Sequence, residues 1–310
     1  MDEKRVNIFK TLSKYKKVLE EKGYNVIYIG LYGSQNYNLD DEESDIDAKA
    51  IIMPSLHDII FRKVTSTTVE CEEGNIDVKD LLTFYDVIKK GNFSYIESIQ
   101  TKYSIGDKYI KELFYDNFSP NLKSILGAMY EKRKALTHPY PSKVEEFKKW
   151  GFDPKQLHHI FRLYDLLHCI YDYHNPNISY IEYYIEGSEW RKYLLEVKRN
   201  TIDISVGVAE KAADSTIEAA KCLIPKEYEY EYNNIDQEIN DYIEKEIKKE
   251  LRKTPIEYAR EIRTFDNPIP KSDIKKFPLL EQYQGEDVSY IVYESMEFLG
   301  SAGSNKEKEE

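Results

Sequence analysis

Cysteine is scarce in this chain: three cysteines occur among 310 residues, and they lie far apart. Cys71, Cys169 and Cys222 have none of the short spacings that typify zinc sites, nor the even count of a disulfide framework. Scattered free thiols are typical of a reducing compartment. The cysteines therefore argue against a disulfide-stapled secreted domain and favour a cytoplasmic protein.

Long apolar runs are missing as well, because no stretch of about 18 apolar residues occurs that could span a membrane. Hydrophobic residues still make up 41% of the chain, which is typical of a globular protein. A chain of this length can bury a sizeable core, in about two domains. Residues 2–5 are charged and lead into an amphipathic pattern, unlike a signal peptide. We therefore expect a globular protein with no membrane partner.

Two glycine-rich fingerprints of nucleotide sites are also absent, the P-loop pattern GxxxxGK[ST] and the dinucleotide pattern GxGxxG. P-loop kinases and Rossmann dehydrogenases are therefore disfavoured. The net charge of −12 disfavours non-specific nucleic-acid binding, which depends on Lys and Arg neutralising phosphates. A local basic groove is still compatible with this charge. Short basic stretches such as residues 132–134 are interpreted as solvated helix faces.

The most informative feature present is a Gly-Ser pair that directly follows an apolar segment. Residues 25–32 are rich in β-branched and aromatic side chains, which predicts a mostly buried strand. Gly33 permits a tight turn and a close approach of the backbone to a ligand. Ser34 supplies a hydroxyl and a backbone N–H at the start of a short predicted helix, where anions such as phosphate bind.

Two aspartates open the next predicted strand, over residues 45–52. Because the side chains of a strand alternate between its faces, Asp45 and Asp47 are expected to point to the same face. Two such carboxylates repel each other unless a cation lies between them, and Mg²⁺ prefers carboxylates together with substrate phosphates. A Gly-Ser turn between two such strands therefore predicts a site that holds a nucleoside triphosphate through divalent metal ions.

A third carboxylate is expected from the predicted hairpin over residues 64–78. Asp77 lies on its returning strand between two apolar residues, so we do not expect its side chain to be fully exposed. Asp80 is the alternative, but it precedes a helical pattern and is better explained as an N-cap. Glu97 is interpreted in the same way, as part of a capping box that begins at Ser94.

A later helical pattern carries a basic stripe. Asp153 is a suitable N-cap for it, and Pro154 suits the first helical position. Lys155, His159 and Arg162 follow at i, i+4 and i+7 and therefore share one face. Lysine as a point charge and arginine as a bidentate fork can hold a triphosphate, and the alternative is a solvated basic face.

Together these residues resemble the DNA polymerase β-type nucleotidyltransferase superfamily, and more narrowly its RNA-repair-pathway branch of predicted bacterial and phage nucleotidyltransferases. The resemblance spans residues 25–165. The helix that begins at Lys155 is similar to the branch pattern Lys-x-x-x-His-x-x-Arg-Leu. The branch often has Arg where Gln35 stands and Gly where Asn38 stands. Its pattern Gly-Ser-x-x-Tyr, leucine, Ser-Asp-x-Asp is matched by Gly33-Ser34, Tyr37, Leu39, Ser44-Asp45 and Asp47.

The resemblance implies a Mg²⁺-dependent enzyme that moves a nucleoside monophosphate from an NTP to a hydroxyl acceptor and releases pyrophosphate. Two metal ions, with Mn²⁺ as a substitute, would be bound by the catalytic residues Asp45, Asp47 and Asp77. The nucleotide would be bound by Gly33, Ser34, Lys155, His159 and Arg162.

Three functions stay open at this point. The first is transfer to RNA, such as a tRNA end or a broken strand. The second is modification of a protein or a small molecule, in a toxin-like or defence-related role. The third is non-catalytic binding of a nucleotide or RNA. The location implied is the cytoplasm, which is that of the host if the chain is phage-encoded.

The expected fold class is α+β. A small mixed sheet with helices on one face forms the nucleotidyltransferase core, and a mainly helical domain follows. The predicted domains are a catalytic domain over residues 1–118 and a helical domain over residues 119–299 that completes the nucleotide and acceptor site. Residues 300–310 are polar and lack apolar anchors, which predicts a disordered tail.

Overall fold

The computed structural model describes residues 3–42, 44–138, 144–173 and 184–251. The chain has an α+β fold, in which a five-stranded mixed sheet is followed by helices. It divides into two compact units, Met1–Ile235 and Asp236–Glu310. In the described part of the chain, no helix combines the length and the apolar composition needed to cross a membrane.

The sheet is formed by strands from the first third of the chain. Its order is β3-β4-β2-β1-β5, with β2 and β4 parallel and the other neighbours antiparallel. The predicted strand over residues 45–52 begins two residues later than expected, and β5 was not predicted. The strands are β1 (Asn25–Tyr32), β2 (Asp47–Met53), β3 (Ser66–Cys71), β4 (Gly74–Asp80) and β5 (Ser104–Gly106).

Helices precede, separate and follow the strands. Asp80 accepts the backbone N–H of Thr83 at 2.8 Å and caps α4, as predicted. The helices are α1 (Glu3–Glu21), α2 (Ser34–Tyr37), α3 (Leu56–Ile60), α4 (Leu81–Ile88), α5 (Phe93–Gln100), α6 (Lys108–Asn117), α7 (Leu122–Thr137), α8 (Val144–Trp150), α9 (Pro154–Tyr173), α10 (Glu189–Arg199), α11 (Val206–Leu223) and α12 (Asp236–Leu251).

Helices cover both faces of the sheet, so the prediction of helices on one face is wrong. On the first face, the apolar stripe of α1 packs against Ile29 and its neighbours. On the second, α5 lies directly on β1, because Gly30 leaves room for a backbone carbonyl. A Cβ at Gly30 would lie 2.0 Å from the carbonyl oxygen of Ser98, which also accepts the hydroxyl of Tyr28 at 2.7 Å. The nearly continuous burial of β1 and β2 is typical of strands covered on both faces.

A second hydrophobic core is formed by α7, α9 and α11, where residues such as Ile125, Ile160 and Ala213 pack together. Both cores belong to the first compact unit. The predicted domain division after residue 118 stays a prediction. Residues 252–299 and the predicted tail over residues 300–310 lie outside the described residues.

Candidate functional site

The Gly-Ser bend lies directly against one of the paired aspartates. β1 ends at Tyr32, which faces Asp47 in the antiparallel register of β1 and β2. Gly33 has a φ of 86°, in the left-handed region that favours glycine. A Cβ at Gly33 would lie 3.6 Å from Asp47 Oδ2. Ser34 begins α2, and no described residue hydrogen-bonds its hydroxyl, which is therefore available to a ligand.

Asp45 and Asp47 act on each other electrostatically, although only Asp47 belongs to the strand. β2 begins at Asp47, so Asp45 lies in the preceding loop, where it is exposed. Asp47 is half-buried, and its Oδ1 accepts the backbone N–H of Asn75 at 3.1 Å. Burial first, and the negative charge of Asp45 in addition, raise the pKa of Asp47. Because a divalent cation would relieve this repulsion, the pair fits the predicted metal.

The third predicted ligand, Asp77, lies on the neighbouring strand and already has partners. β4 runs parallel to β2 with Asp77 beside Lys49. Asp77 Oδ2 accepts hydrogen bonds from Lys49 Nζ at 3.0 Å and from the Tyr95 hydroxyl at 2.5 Å. Burial alone would raise the pKa of Asp77, but Lys49, Tyr95 and Lys79 lower it overall. Among the residues that the structure describes, no three acidic, His or Cys side chains are grouped so as to hold a metal ion together.

Lys49 is a site residue that the sequence analysis missed. Its side chain is 8% exposed, and its Nζ lies 4.4 Å from the ring centroid of Tyr32 and 3.9 Å from that of Tyr95. Burial lowers the pKa of Lys49 more than Asp77 raises it. The available signal was strand alternation, since a residue two positions after Asp47 lies on the same face.

The first turn of α9 brings a cation toward the acidic pair. Asp153 Oδ1 accepts the backbone N–H of Lys155 at 3.0 Å, as expected of an N-cap, and Pro154 begins the helix. Lys155 is exposed, and its positive charge lowers the pKa of Asp47 and so partly opposes the effect of burial. Lys155 is therefore near enough to Asp47 to act on it electrostatically.

The other two residues of the predicted basic stripe are more enclosed. Arg162 is buried, and its Nη1 lies 2.7 Å from Glu97 Oε1, while its guanidinium stacks 4.2 Å from the ring centroid of Tyr37. Burial would lower the pKa of Arg162, but Glu97 and Tyr37 raise it above its ordinary value. His159 is half-buried, and burial together with nearby positive charges lowers its pKa well below the usual range. Nucleotide binding by Arg162 and His159 stays a prediction.

Glu97 is not part of a capping box, so that interpretation is wrong. α5 begins two residues earlier than expected, and Asn92 caps it by accepting the backbone N–H of Ser94 at 3.1 Å. Glu97 is completely buried, and it accepts the Tyr37 hydroxyl at 2.5 Å in addition to pairing with Arg162. Its place between Ile96 and Ile99, two apolar residues of the same helix, was the available signal.

Side chains from α2 and α10 hold the loop that precedes Asp45. Gln35 Nε2 donates to the carbonyl of Ser44 at 3.2 Å, where the resembled branch often has Arg. Lys198 of α10 lies 3.0 Å from Asp41 and donates to Ser44 Oγ at 3.2 Å. Burial would raise the pKa of Asp41, but Ser44 and Lys198 lower it to about 2. Asn38 has a φ of 65°, which explains why glycine suits its position.

No protein-family model matches this sequence, and the comparison with curated proteins gives no match either. The resemblance to the polymerase β-type superfamily therefore stays a proposal. Function is inferred from the site itself, because one fold can carry many activities.

Proposed function

We propose that this chain is a nucleotidyltransferase that moves a nucleoside monophosphate from an NTP to a hydroxyl acceptor and releases pyrophosphate. One observation carries the proposal. The Gly33-Ser34 bend lies against Asp47, with a Cβ at Gly33 only 3.6 Å from that carboxylate, while Asp45 acts on the same group. A bend with a free serine hydroxyl beside two repelling carboxylates is suited to a metal-bound phosphate chain.

Asp45 and Asp47 would hold Mg²⁺, which supplies charge neutralisation at the phosphate and lowers the pKa of an acceptor hydroxyl. Asp77 is proposed as the third carboxylate and as the base nearest the acceptor. Its parallel neighbour Lys49 and the Tyr95 hydroxyl hold its side chain on the same face of the sheet as Asp47. These two contacts fix the orientation of Asp77 before substrate arrives.

The phosphate chain would contact the Gly33 and Ser34 bend on one side and Lys155 on the other. Arg162 would support this arrangement through its ion pair with Glu97, which joins α9 to α5. Transfer of this kind depends mainly on positioning and electrostatics, so no covalent nucleophile is required. The cytoplasm remains the proposed location, and RNA, including a tRNA end, the proposed acceptor class.

A non-catalytic nucleotide- or RNA-binding protein is the second candidate, and the ion pair between Lys49 and Asp77 favours it. A carboxylate that already has an ammonium partner at 3.0 Å needs no metal to offset its charge. Modification of a protein or a small molecule is the alternative reaction.

Incubation with each α-labelled NTP, Mg²⁺ and total RNA or protein tests the proposal. We expect label in one macromolecular fraction, and loss of it in the double variant D45A/D47A. The control is D86A, which removes an exposed carboxylate from α4. Label that persists in the double variant would reject the metal ligands, and no label with any NTP or acceptor fraction would favour the non-catalytic candidate.

A further inference from the structure

Lys132 is a half-buried lysine on α7 that the proposed function does not use. It lies one helical turn before Leu136, whose carbonyl accepts the backbone N–H of Asp153 at 2.9 Å. This contact brings the last turns of α7 against the start of α9, where Lys155 is exposed. The end of α7 and the start of α9 are therefore neighbours, and the charge of Lys155 acts on Lys132.

The positive charges of two other residues act on Lys132. Burial first, and then the charges of Lys155 and Arg162, lower the pKa of Lys132. Arg162 is paired with Glu97, and Lys198, which also acts on Lys155, is paired with Asp41.

Within the described residues, the side-chain ammonium groups of Lys132 and Lys155 have no hydrogen bond or ion pair. Asp153 is the acid that acts on Lys132, but its two carboxylate oxygens accept the Lys155 backbone N–H and the Gln156 side-chain amide. The two ammonium groups repel each other, and this repulsion is relieved when a polyanion binds between them.

The position of the two lysines identifies the polyanion. Lys155 acts electrostatically on Asp47, which lies against the Gly33 bend. A chain of phosphates carries several negative charges over a short length, so a triphosphate held at the Gly33 bend suits both lysines.

We propose that Lys132 and Lys155 together bind the triphosphate chain of the nucleotide at its β- and γ-phosphates. The inference rests on the proposed function for the identity of the ligand, and it adds Lys132 to the site. Arg162 is buried in an ion pair with Glu97, so Lys132 and Lys155 would supply the positive charge that neutralises the phosphates.

Calorimetric titration tests this inference. The full chain is titrated with inorganic triphosphate in a buffer that contains a chelator and no divalent metal. K132M and K155M should each weaken binding about tenfold or more, which is the size expected for a lost charged hydrogen bond. The matched control is K134M, which removes an exposed lysine from the same helix and should stay within about twofold of the wild type.

Thermal unfolding without ligand distinguishes a lost phosphate contact from a loss of folding in K132M. K132M should raise the melting temperature, because it keeps the packing of the side chain and removes an unbalanced half-buried charge. A structural lysine would instead lower the melting temperature when replaced, and that result would overturn the inference.

Other results also overturn it: no binding of triphosphate by the wild type, unchanged binding in K132M, or an equal loss in K134M. A 5′-hydroxyl RNA oligonucleotide serves as a second probe, and a K132M defect for RNA but not for triphosphate would reject the assigned ligand. Because the titration needs no turnover, it can succeed when transfer activity is absent. Conversely, normal triphosphate binding by K132M would reject the role of Lys132 even if the wild type shows transfer activity. The two proposals can therefore fail separately.

Discussion

A buried ion pair joins the strand side of the candidate site to its helical side. Arg162 is 8% exposed and Glu97 is fully buried, so both charges have lost most of their hydration. The stability of each charge therefore depends on the other and on Tyr37. The Tyr37 hydroxyl donates a hydrogen bond to Glu97, and the Tyr37 ring lies against the guanidinium of Arg162. Because Arg162 belongs to α9, the pair also fixes the helix that carries Lys155.

Breaking this ion pair should be costly. E97Q leaves a buried guanidinium without its counter-charge, and we expect a loss of about 3 to 5 kcal/mol in the free energy of unfolding. Urea unfolding measures the change, with D86N as the control for loss of an exposed carboxylate. The double variant E97Q/R162M should be less destabilised than E97Q alone. A change below about 1 kcal/mol in E97Q would contradict a buried, mutually dependent pair.

His158 should make stability depend on pH. It is buried and its Nδ1 donates to the Leu194 carbonyl at 2.9 Å, and burial lowers its pKa from 6.5 to about 4. Between these values the unfolded chain binds more protons than the folded chain, so stability falls as the pH falls from 6.5 to 4. The contribution of this residue is about 3 kcal/mol over that window.

H158N isolates this contribution, because asparagine keeps a donor near the position of Nδ1 but does not titrate. The deficit in unfolding free energy of H158N relative to the wild type should shrink by about 3 kcal/mol between pH 7 and pH 4. A deficit that stays constant over this range would show that His158 does not enter the folded state as a neutral side chain.

At the scale of the elements, the contact between β1 and α5 depends on a single glycine. The Cβ of an alanine at residue 30 would lie 2.0 Å from the Ser98 carbonyl oxygen, so backbone would have to move. We expect G30A to lose about 1 to 3 kcal/mol or more of stability. G127A is the matched control, because nothing lies within 4 Å of its added Cβ in α7. It should gain about 0.5 to 1 kcal/mol. Thermal unfolding compares the two, and equal effects would refute the close packing of α5 on β1.

Local sequence patterns predicted the elements better than their arrangement. The β-branched and aromatic character of residues 25–32 predicted β1 with its observed bounds, and the helical pattern capped by Asp80 is observed as α4. β5 is only three residues long, too short for a periodic signal. The second helical layer of the sheet was missed because Gly30 reads as a weak strand residue, whereas in the fold it admits α5.

At the scale of the whole molecule, charge is distributed unevenly. The net charge of −12 is known from composition, but composition does not reveal that Lys155 acts electrostatically on both Lys132 and Lys198. These lysines belong to three different helices, so only the packing of the helices brings their charges into one region. The neighbourhood of Gly33 and Asp47, in contrast, follows from two strands that are adjacent in sequence, which is why local patterns predicted it.

The burial of Arg162 and the pairing of Asp77 with Lys49 needed the tertiary structure. The i, i+4, i+7 spacing predicted a shared face for Lys155, His159 and Arg162, but that face turns from solvent toward α5 along its length. A helical repeat defines a face and does not define what covers it. The same limit applies to Asp77, whose partners come from β2, β4 and α5.

The central claim is nucleotidyl transfer at the bend beside Asp47, and paired labelling of one NTP tests it most directly. With the acceptor fraction present, label in the α-phosphate should be incorporated, while label in the γ-phosphate should appear in pyrophosphate. Both signals should disappear in D45A/D47A and persist in D86A. Incorporation of the γ-label instead, or no release of pyrophosphate by the wild type with any NTP, would contradict the account.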